Sequence, residues 1–152
     1  MKEVAVLLHN IRSTHNVGSI FRTADAAGVN RVFLTGYTPT PIDRFGRPQK
    51  DIAKTALGAE RFLEWSYMMR PAVVIKRLKA DGWTIVGVEQ DDKAIDYREF
   101  EKQEKTVFVV GNEVRGLSRA LKDACDTLIE IPMRGKKESL NVSVAAGVVL
   151  FA

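Results

Sequence analysis

Three polar stretches of this chain hold residues that could bind a ligand and take part in a reaction. HNIRSTHNVGSIFRTADAAG (9–28) contains Asn10, Arg12, Asn16 and Arg22. GNEVRG (111–116) places Glu113 between Gly111 and Gly116. IPMRGKKESLN (131–141) carries the cations Arg134, Lys136 and Lys137 ahead of Ser139 and Asn141. Amides, hydroxyls and a carboxylate orient ligands and protons, whereas guanidinium groups clamp phosphates and stabilise oxyanions. Each stretch also has a plainer reading. Asn10 and Asn16 suit turns and helix caps, Gly111 and Gly116 suit bare turns, and Ser139 and Asn141 suit the start of a helix.

Several chemistries are excluded. Gly111 and Gly116 have the separation of a phosphate-binding loop, with Ser118 in place, but Leu117 stands where that loop needs a lysine. Without the cation the β- and γ-phosphates lose their main counter-charge, so a nucleotide triphosphatase is rejected. A dinucleotide fingerprint fails as well, because Glu113 occupies its middle glycine and would repel a pyrophosphate. His9, His15 and the single Cys125 have no metal-ligand spacing, so no metal is expected.

The elements that must position these stretches are legible as short apolar runs: VAVLL (4–8), VFL (32–34), TIVGV (84–88), TVFVV (106–110) and LIEI (128–131). Most are apolar at both alternating positions, the pattern of parallel strands covered on both faces. Helices fit between them. Val17, Ile20, Phe21 and Ala24 recur at helical spacing within 17–27, with Gly28 as terminator. Pro71 suits a first turn before Val74, Ile75 and Leu78, with Gly82 beyond, and Ser118 can cap a helix carrying Leu121 and Ala124. The closing SLNVSVAAGVVLFA is apolar nearly all round, as for a helix buried in the core or against another subunit. The expected fold is a single α/β domain over 1–152, with a mostly parallel sheet and helices on both faces. Each polar stretch follows the carboxyl end of a predicted strand, where open parallel sheets bind ligands, so all three can converge on one site.

The chain has 152 residues, 45% of them hydrophobic and 28% charged, enough to bury a core as one domain. One cysteine allows no intrachain disulfide, and Val4–Leu8 is too short for a signal peptide or a membrane span, so a cytoplasmic protein is expected. The net charge of +4 is localised. Residues 1–56 contain eight Lys/Arg and four Asp/Glu, whereas residues 57–152 contain fifteen of each. Such a bias fits either a polyanionic partner or a solvated surface. Residues 37–56 read as a long loop with three prolines and the cations Arg44, Arg47, Lys50 and Lys54, interleaved with Tyr37 and Phe45. It is either an RNA-contacting loop, cations for phosphates and rings for bases, or a mobile surface loop.

Taken together, the motifs closely resemble those of the SpoU/TrmH family of the SPOUT class, S-adenosylmethionine-dependent RNA ribose 2′-O-methyltransferases. Asn16-Val17-Gly18 with Arg22-Thr23-Ala24 resembles the family's first motif, and Gly111, Glu113 and Gly116 its second. Ile131-Pro132-Met133, Gly135 and Ser139-Leu140-Asn141-Val142-Ser143 resemble the third, which is the longest and most specific. The resemblance implies a C-terminal deep trefoil knot, an exception to the rule against knotted chains. It also implies a homodimer, S-adenosylmethionine as cofactor and an RNA substrate, tRNA or rRNA, with no membrane and no metal.

It further implies roles. Arg22, Asn16, Glu113, Ser139 and Asn141 are the expected catalytic set, with Gly111, Ile131, Met133 and Leu140 contacting the cofactor. Arg12, Arg44, Arg47, Lys50, Lys54, Arg134, Lys136 and Lys137 are expected to contact RNA. Arg22 falls on the helix face away from Val17, Ile20 and Ala24, and Gly18 leaves room for a backbone or a ligand to approach. Guanidinium, with a pKa above ~12, is a poor general base but a good phosphate clamp and alkoxide stabiliser. Glu113 could serve either a cationic sulfonium or Arg22. Many relatives carry an N-terminal RNA-binding extension or a longer C-terminal helix; this sequence is expected to lack both, placing substrate selection in the domain or its dimer. Two alternatives to the enzyme are a non-catalytic RNA-binding module on the same scaffold and a small-molecule enzyme using another nucleotide. Keeping Arg22, Glu113, Ser139 and Asn141 together argues against the first, and Leu117 with Glu113 against the second.

Overall fold

The apolar runs are hydrophobic at successive positions because the sheet they form is packed on both faces. The computed structural model describes residues 1–152. Seven strands are present: β1 (Glu3–His9), β2 (Arg31–Thr35), β3 (Glu64–Met68), β4 (Thr84–Val88), β5 (Ile95–Asp96), β6 (Lys105–Val110) and β7 (Thr127–Glu130). They lie in the order β3-β2-β1-β6-β4-β7-β5, and every neighbouring pair is parallel. Parallel neighbours need long crossovers. These contain α1 (Thr14–Ala26), α2 (Lys50–Ala56), α3 (Ala59–Phe62), α4 (Pro71–Ala80) and α5 (Arg119–Ala124), and α6 (Val142–Phe151) ends the chain.

Alternate residues of one strand feed different cores. Val6 and Leu8 of β1 and Phe108 and Val110 of β6 belong with Val17, Ile20 and Phe21 of α1 and with Ala146, Val149 and Leu150 of α6. Ala5 and Leu7, with Val107 and Val109, belong with Val74, Ile75 and Leu78 of α4 and Leu121 of α5 on the other face. No helix is long and apolar enough to cross a membrane.

Most expected elements are present, with shifted ends. α1 starts at Thr14, ahead of its apolar pattern, because the Ser13 hydroxyl accepts from the Asn16 N–H at 3.1 Å and caps it. Gly28 and Gly82 follow α1 and α4 with φ of +78° and +87°, the left-handed conformation that ends a helix without a Cβ penalty. Pro71 opens α4 and Ser118 caps α5. Four elements carry no usable periodic signal. β3 reads EWSYM and is mostly exposed at a sheet edge, and β5 has two residues. α3 has four residues. α2 corrects the loop reading of 37–56: Lys50 and Lys54 lie on a helix, held by burial of Ile52 and Ala56. Two buried positions, one turn apart, are too little pattern to separate a short helix from a loop.

Candidate functional site

Because the sheet is parallel, β1, β6 and β7 deliver the three polar stretches to the same edge. Glu113 is the hub there. Its Oε1 accepts from the Arg12 N–H at 2.9 Å, and its Oε2 accepts from the Ser13 N–H at 2.9 Å and from Asn16 Nδ2 at 3.0 Å. α1 has no acidic residue in its first turn, so Glu113 supplies from the β6 end the negative charge that a helix N-terminus favours. Burial pushes the Glu113 pKa up, but the hydrogen bonds from Arg12, Ser13 and Asn16 outweigh it, and the net shift is downward. Glu113 is therefore held as the anion.

That anion orders its neighbours. A carboxylate only accepts, so Asn16 must turn its NH2 toward Glu113 and its Oδ1 outward. Asn16 Oδ1 then accepts from Asn141 Nδ2 at 3.3 Å. Asn141 Oδ1 in turn accepts from the Ser143 N–H at 2.8 Å and the Ser143 hydroxyl at 2.6 Å, capping α6. One residue from each stretch thus enters a single chain, Glu113–Asn16–Asn141. Asn141 fills its plain role as a helix cap and joins this chain with the same side chain.

Beside the chain lies a cleft of about 780 Å³, counting its open mouth. Gly111, Glu113, Ile131, Met133, Ser139 and Leu140 all line it. Its glycines are needed for backbone reasons. A Cβ at Gly111 would lie 2.6 Å from the carbonyl carbon and oxygen of Gly116, because the loop doubles back on itself. Gly116 has a φ of +66°, and a Cβ there would lie 2.1 Å from Glu89 Oε2. Glu89, just past β4, accepts from the Leu117 N–H at 2.5 Å and pins that loop. Glu89 and Gln90 line the cleft and were missed by sequence reasoning. Their signal was the same as for the three stretches, polar residues just past an apolar run, here TIVGV.

A more open groove adjoins the cleft. Arg12, Asn16 and Glu113 line it together with Tyr37, Asn112 and Arg115. Asn112 and Arg115 lie inside a stretch read only for its glycines and Glu113.

Arg22 is elsewhere. It is exposed on α1, six residues beyond Asn16, hence about 9 Å along the axis and about 120° around it. It lines a separate groove with Ser19, Thr23, Lys54, Thr55 and Phe151. The room expected at Gly18 is taken by α2: a Cβ there would lie 1.9 Å from Thr55 Oγ1 and 2.4 Å from the Ile52 carbonyl oxygen. Arg44 and Arg47 each place a guanidinium carbon 4.9 Å from the centroid of the Phe45 ring, and Arg47 pairs with Asp43 at 3.0 Å. Lys50 lies exposed on α2, and Arg134, Lys136 and Lys137 lie exposed on the segment between β7 and α6. No three metal-ligating side chains come together.

The architecture defines a class: an open parallel α/β sheet with a ligand cleft at the carboxyl edge, lined by loops after β4, β6 and β7. Within that class the chain belongs to the SpoU rRNA methylase family, whose model matches residues 3–151. A Staphylococcus haemolyticus protein assigned to the TrmH family of tRNA/rRNA methyltransferases is 38% identical over 146 residues, which are 96% of this chain and 56% of the relative. The chain thus spans just over half the length of that curated relative. Among solved structures, an AdoMet-bound rRNA methyltransferase from Sinorhizobium meliloti superposes with a TM-score of 0.88 at 30% identity, covering 98% of this chain and 54% of the other. An RNA 2′-O ribose methyltransferase superposes with a TM-score of 0.84 at 26% identity, covering 99% and 55%.

Proposed function

We propose that this chain is the catalytic domain of an S-adenosylmethionine-dependent RNA methyltransferase that modifies a ribose 2′-hydroxyl of tRNA or rRNA in the cytoplasm. The observation that carries the reading is the Glu113–Asn16–Asn141 chain, which ties the three family motifs into one wall beside the cleft. The lining fits the cofactor. Ile131, Met133 and Leu140 offer an apolar bed for an adenine ring, and Gly111 lets the backbone come close. Glu89, Glu113 and Glu130 place negative charge around the same cleft, which suits a sulfonium cation. When bound, S-adenosylmethionine supplies an electrophilic methyl group.

The chain's own residues do the rest. Glu113, kept ionised, fixes the start of α1 and the orientation of Asn16, while Asn141 caps α6 and ties it to the same wall, and Ser139 lines the cleft beside it. Arg22 acts as a clamp on a phosphate and on the ribose oxygen as negative charge develops. Arg12, Arg44, Arg47, Lys50, Lys54, Arg134, Lys136 and Lys137 meet the RNA backbone, which positions the strand without reading its sequence.

The reading includes a homodimer and the C-terminal trefoil knot of the family. Arg22 and the cleft lie in separate grooves of one chain, so a second copy is the source of the guanidinium at each cleft. In support, α6 buries Ala146, Val149 and Leu150 but leaves Val144 51% and Phe151 63% exposed, and Phe151 borders the Arg22 groove. Transfer of a tritiated methyl group to bulk RNA tests the activity; no incorporation overturns it. Mixing Arg22→Ala with Glu113→Gln subunits tests the shared site. Exchange restores one intact site in each mixed dimer and about a quarter of the full activity. Absence of rescue between exchanging subunits overturns the two-chain arrangement.

A further inference from the structure

Tyr37 is 58% exposed, yet it is held at both ends. Its backbone N–H donates to Asn10 Oδ1 at 3.0 Å, and its hydroxyl accepts from Asn112 Nδ2 at 2.9 Å. Asn112 Nδ2 also donates to the Asn10 carbonyl at 3.0 Å, closing the ring of contacts. The arrangement costs backbone strain. Asn10 sits at φ +55°, and Gly36 at φ +65°, where a Cβ would lie 1.9 Å from Asn10 Oδ1. Behind the ring, Thr38 is buried, accepting from the Ile11 N–H at 3.1 Å and donating to the Leu8 carbonyl at 3.0 Å.

An aromatic ring left in water but locked in orientation gains little from packing. It is, however, pre-organised for a flat partner, because the ordering cost is met before binding. The groove around it identifies that partner. Tyr37 shares the groove with Arg12 and Arg115, both exposed, and with Glu113 and Asn16. Glu113 stays an anion there, but its oxygens are turned to the Arg12 and Ser13 N–H groups and to Asn16 Nδ2, and the two exposed guanidinium groups outnumber it among the charges lining the groove. A fixed π-face that shares its groove with two cations suits an unstacked base and its neighbouring phosphates. Phe45 differs, since Arg44 and Arg47 already lie over its ring.

We propose that Tyr37 is the stacking platform for one unpaired base of a single-stranded RNA segment, with Arg12 and Arg115 on its flanking phosphates and Asn10 and Asn112 as positioning residues. This deepens the RNA-methyltransferase reading by naming the substrate's form: a loop or splayed nucleotide, taken without preference for sequence because every base has a π-face. A duplex, whose bases are stacked on each other, cannot use the ring.

The test needs neither cofactor nor methyl transfer, so its failure is distinct from failure of the catalytic reading. The probe is a single-stranded RNA oligonucleotide with one 2-aminopurine, whose fluorescence is quenched by stacking, alongside the same strand in a duplex. The intact chain quenches the single strand and leaves the duplex bright. Tyr37→Phe keeps the quench, because the ring remains. Tyr37→Ala and Tyr37→Leu lose it and bind about tenfold to a hundredfold more weakly. Tyr37→Leu retains apolar bulk, and so separates loss of the π-face from a disturbed loop. The salt dependence of binding stays as steep in Tyr37→Leu but falls by about 0.7 in log–log slope in Arg115→Ala. Quenching by Tyr37→Leu equal to that of the intact chain, or equal quenching of the duplex, overturns the proposal.

Discussion

The two ends of α1 are finished in different ways. At its N-terminus every polar group of interest is partnered inside the chain: Ser13 caps, Glu113 accepts three hydrogen bonds, and Asn16 reaches on to Asn141. Further along, Arg22 stands exposed, makes no salt bridge, and faces a groove bordered by Lys54 and Phe151. A preorganised donor set is worth most when it costs nothing to arrange at the moment of reaction, which describes the first end. A cation beside another cation and an exposed aromatic ring describes a surface made to meet something outside the chain. One helix therefore carries a completed wall and an unfinished one, and Gly18 between them lets α2 pack closely on the helix.

The largest expected effect falls on the unfinished end. Arg22→Ala should lower kcat by about 10²–10³-fold, with the calorimetric affinity for S-adenosylmethionine unchanged, because the proposed role of Arg22 is on the phosphate and the ribose oxygen and not on the cofactor. Equal loss of cofactor binding would show that the two ends are not separate. Next comes the contact between the two helices. Gly18→Ala forces a Cβ against the Ile52 carbonyl oxygen, a backbone atom that cannot swing aside, and should cost about 1–3 kcal/mol in urea unfolding.

At the finished end, Glu113→Gln should cost about 1–2 kcal/mol, since an amide turns one acceptor into a donor facing other donors. Its pH dependence has a definite sign. The folded pKa of Glu113 lies below its ordinary value of 4.5, so its contribution is full above that value and is lost as pH falls through the folded pKa. Glu113→Gln should therefore show a shallower acid loss of stability than the unaltered chain in denaturation curves across that range. The smallest effect serves as a control remote from α1. Burial first, then Asp126, pushes the Cys125 thiol up to about 11 against the pull of Lys79, so its reaction with Ellman's reagent at pH 8 should stay slow until the chain is unfolded.

How far the sequence could be read follows the length of each signal. VAVLL and TVFVV alternate between two cores, and so their apolar residues at every position identified parallel strands covered on both sides. α2 was hidden because it buries only Ile52 and Ala56, and β3 because an exposed edge strand has little apolar pattern. Within the site, Gly111, Glu113, Ile131, Met133, Ser139 and Leu140 were named from the resemblance of their stretches to the family motifs; what the strands themselves foretold is that these stretches share one edge, because a parallel sheet sends all strand ends there. Glu89 had the same signal as the three stretches, a polar residue just past an apolar run, but neither it nor Asn112 could be told from a merely solvated group by its type alone.

By itself the sequence determined the central strands, their two-sided core and the edge at which polar residues gather, because apolar periodicity is a local property. Only the tertiary structure decided which of those residues touch. Glu113 meets Asn16 across 97 positions of chain, and Asn141 meets Asn16 across 125. Hydrogen bonds act over about 3 Å, so partners that far apart in sequence are chosen by the register of strands and the pitch of helices between them, not by anything the neighbouring residues encode.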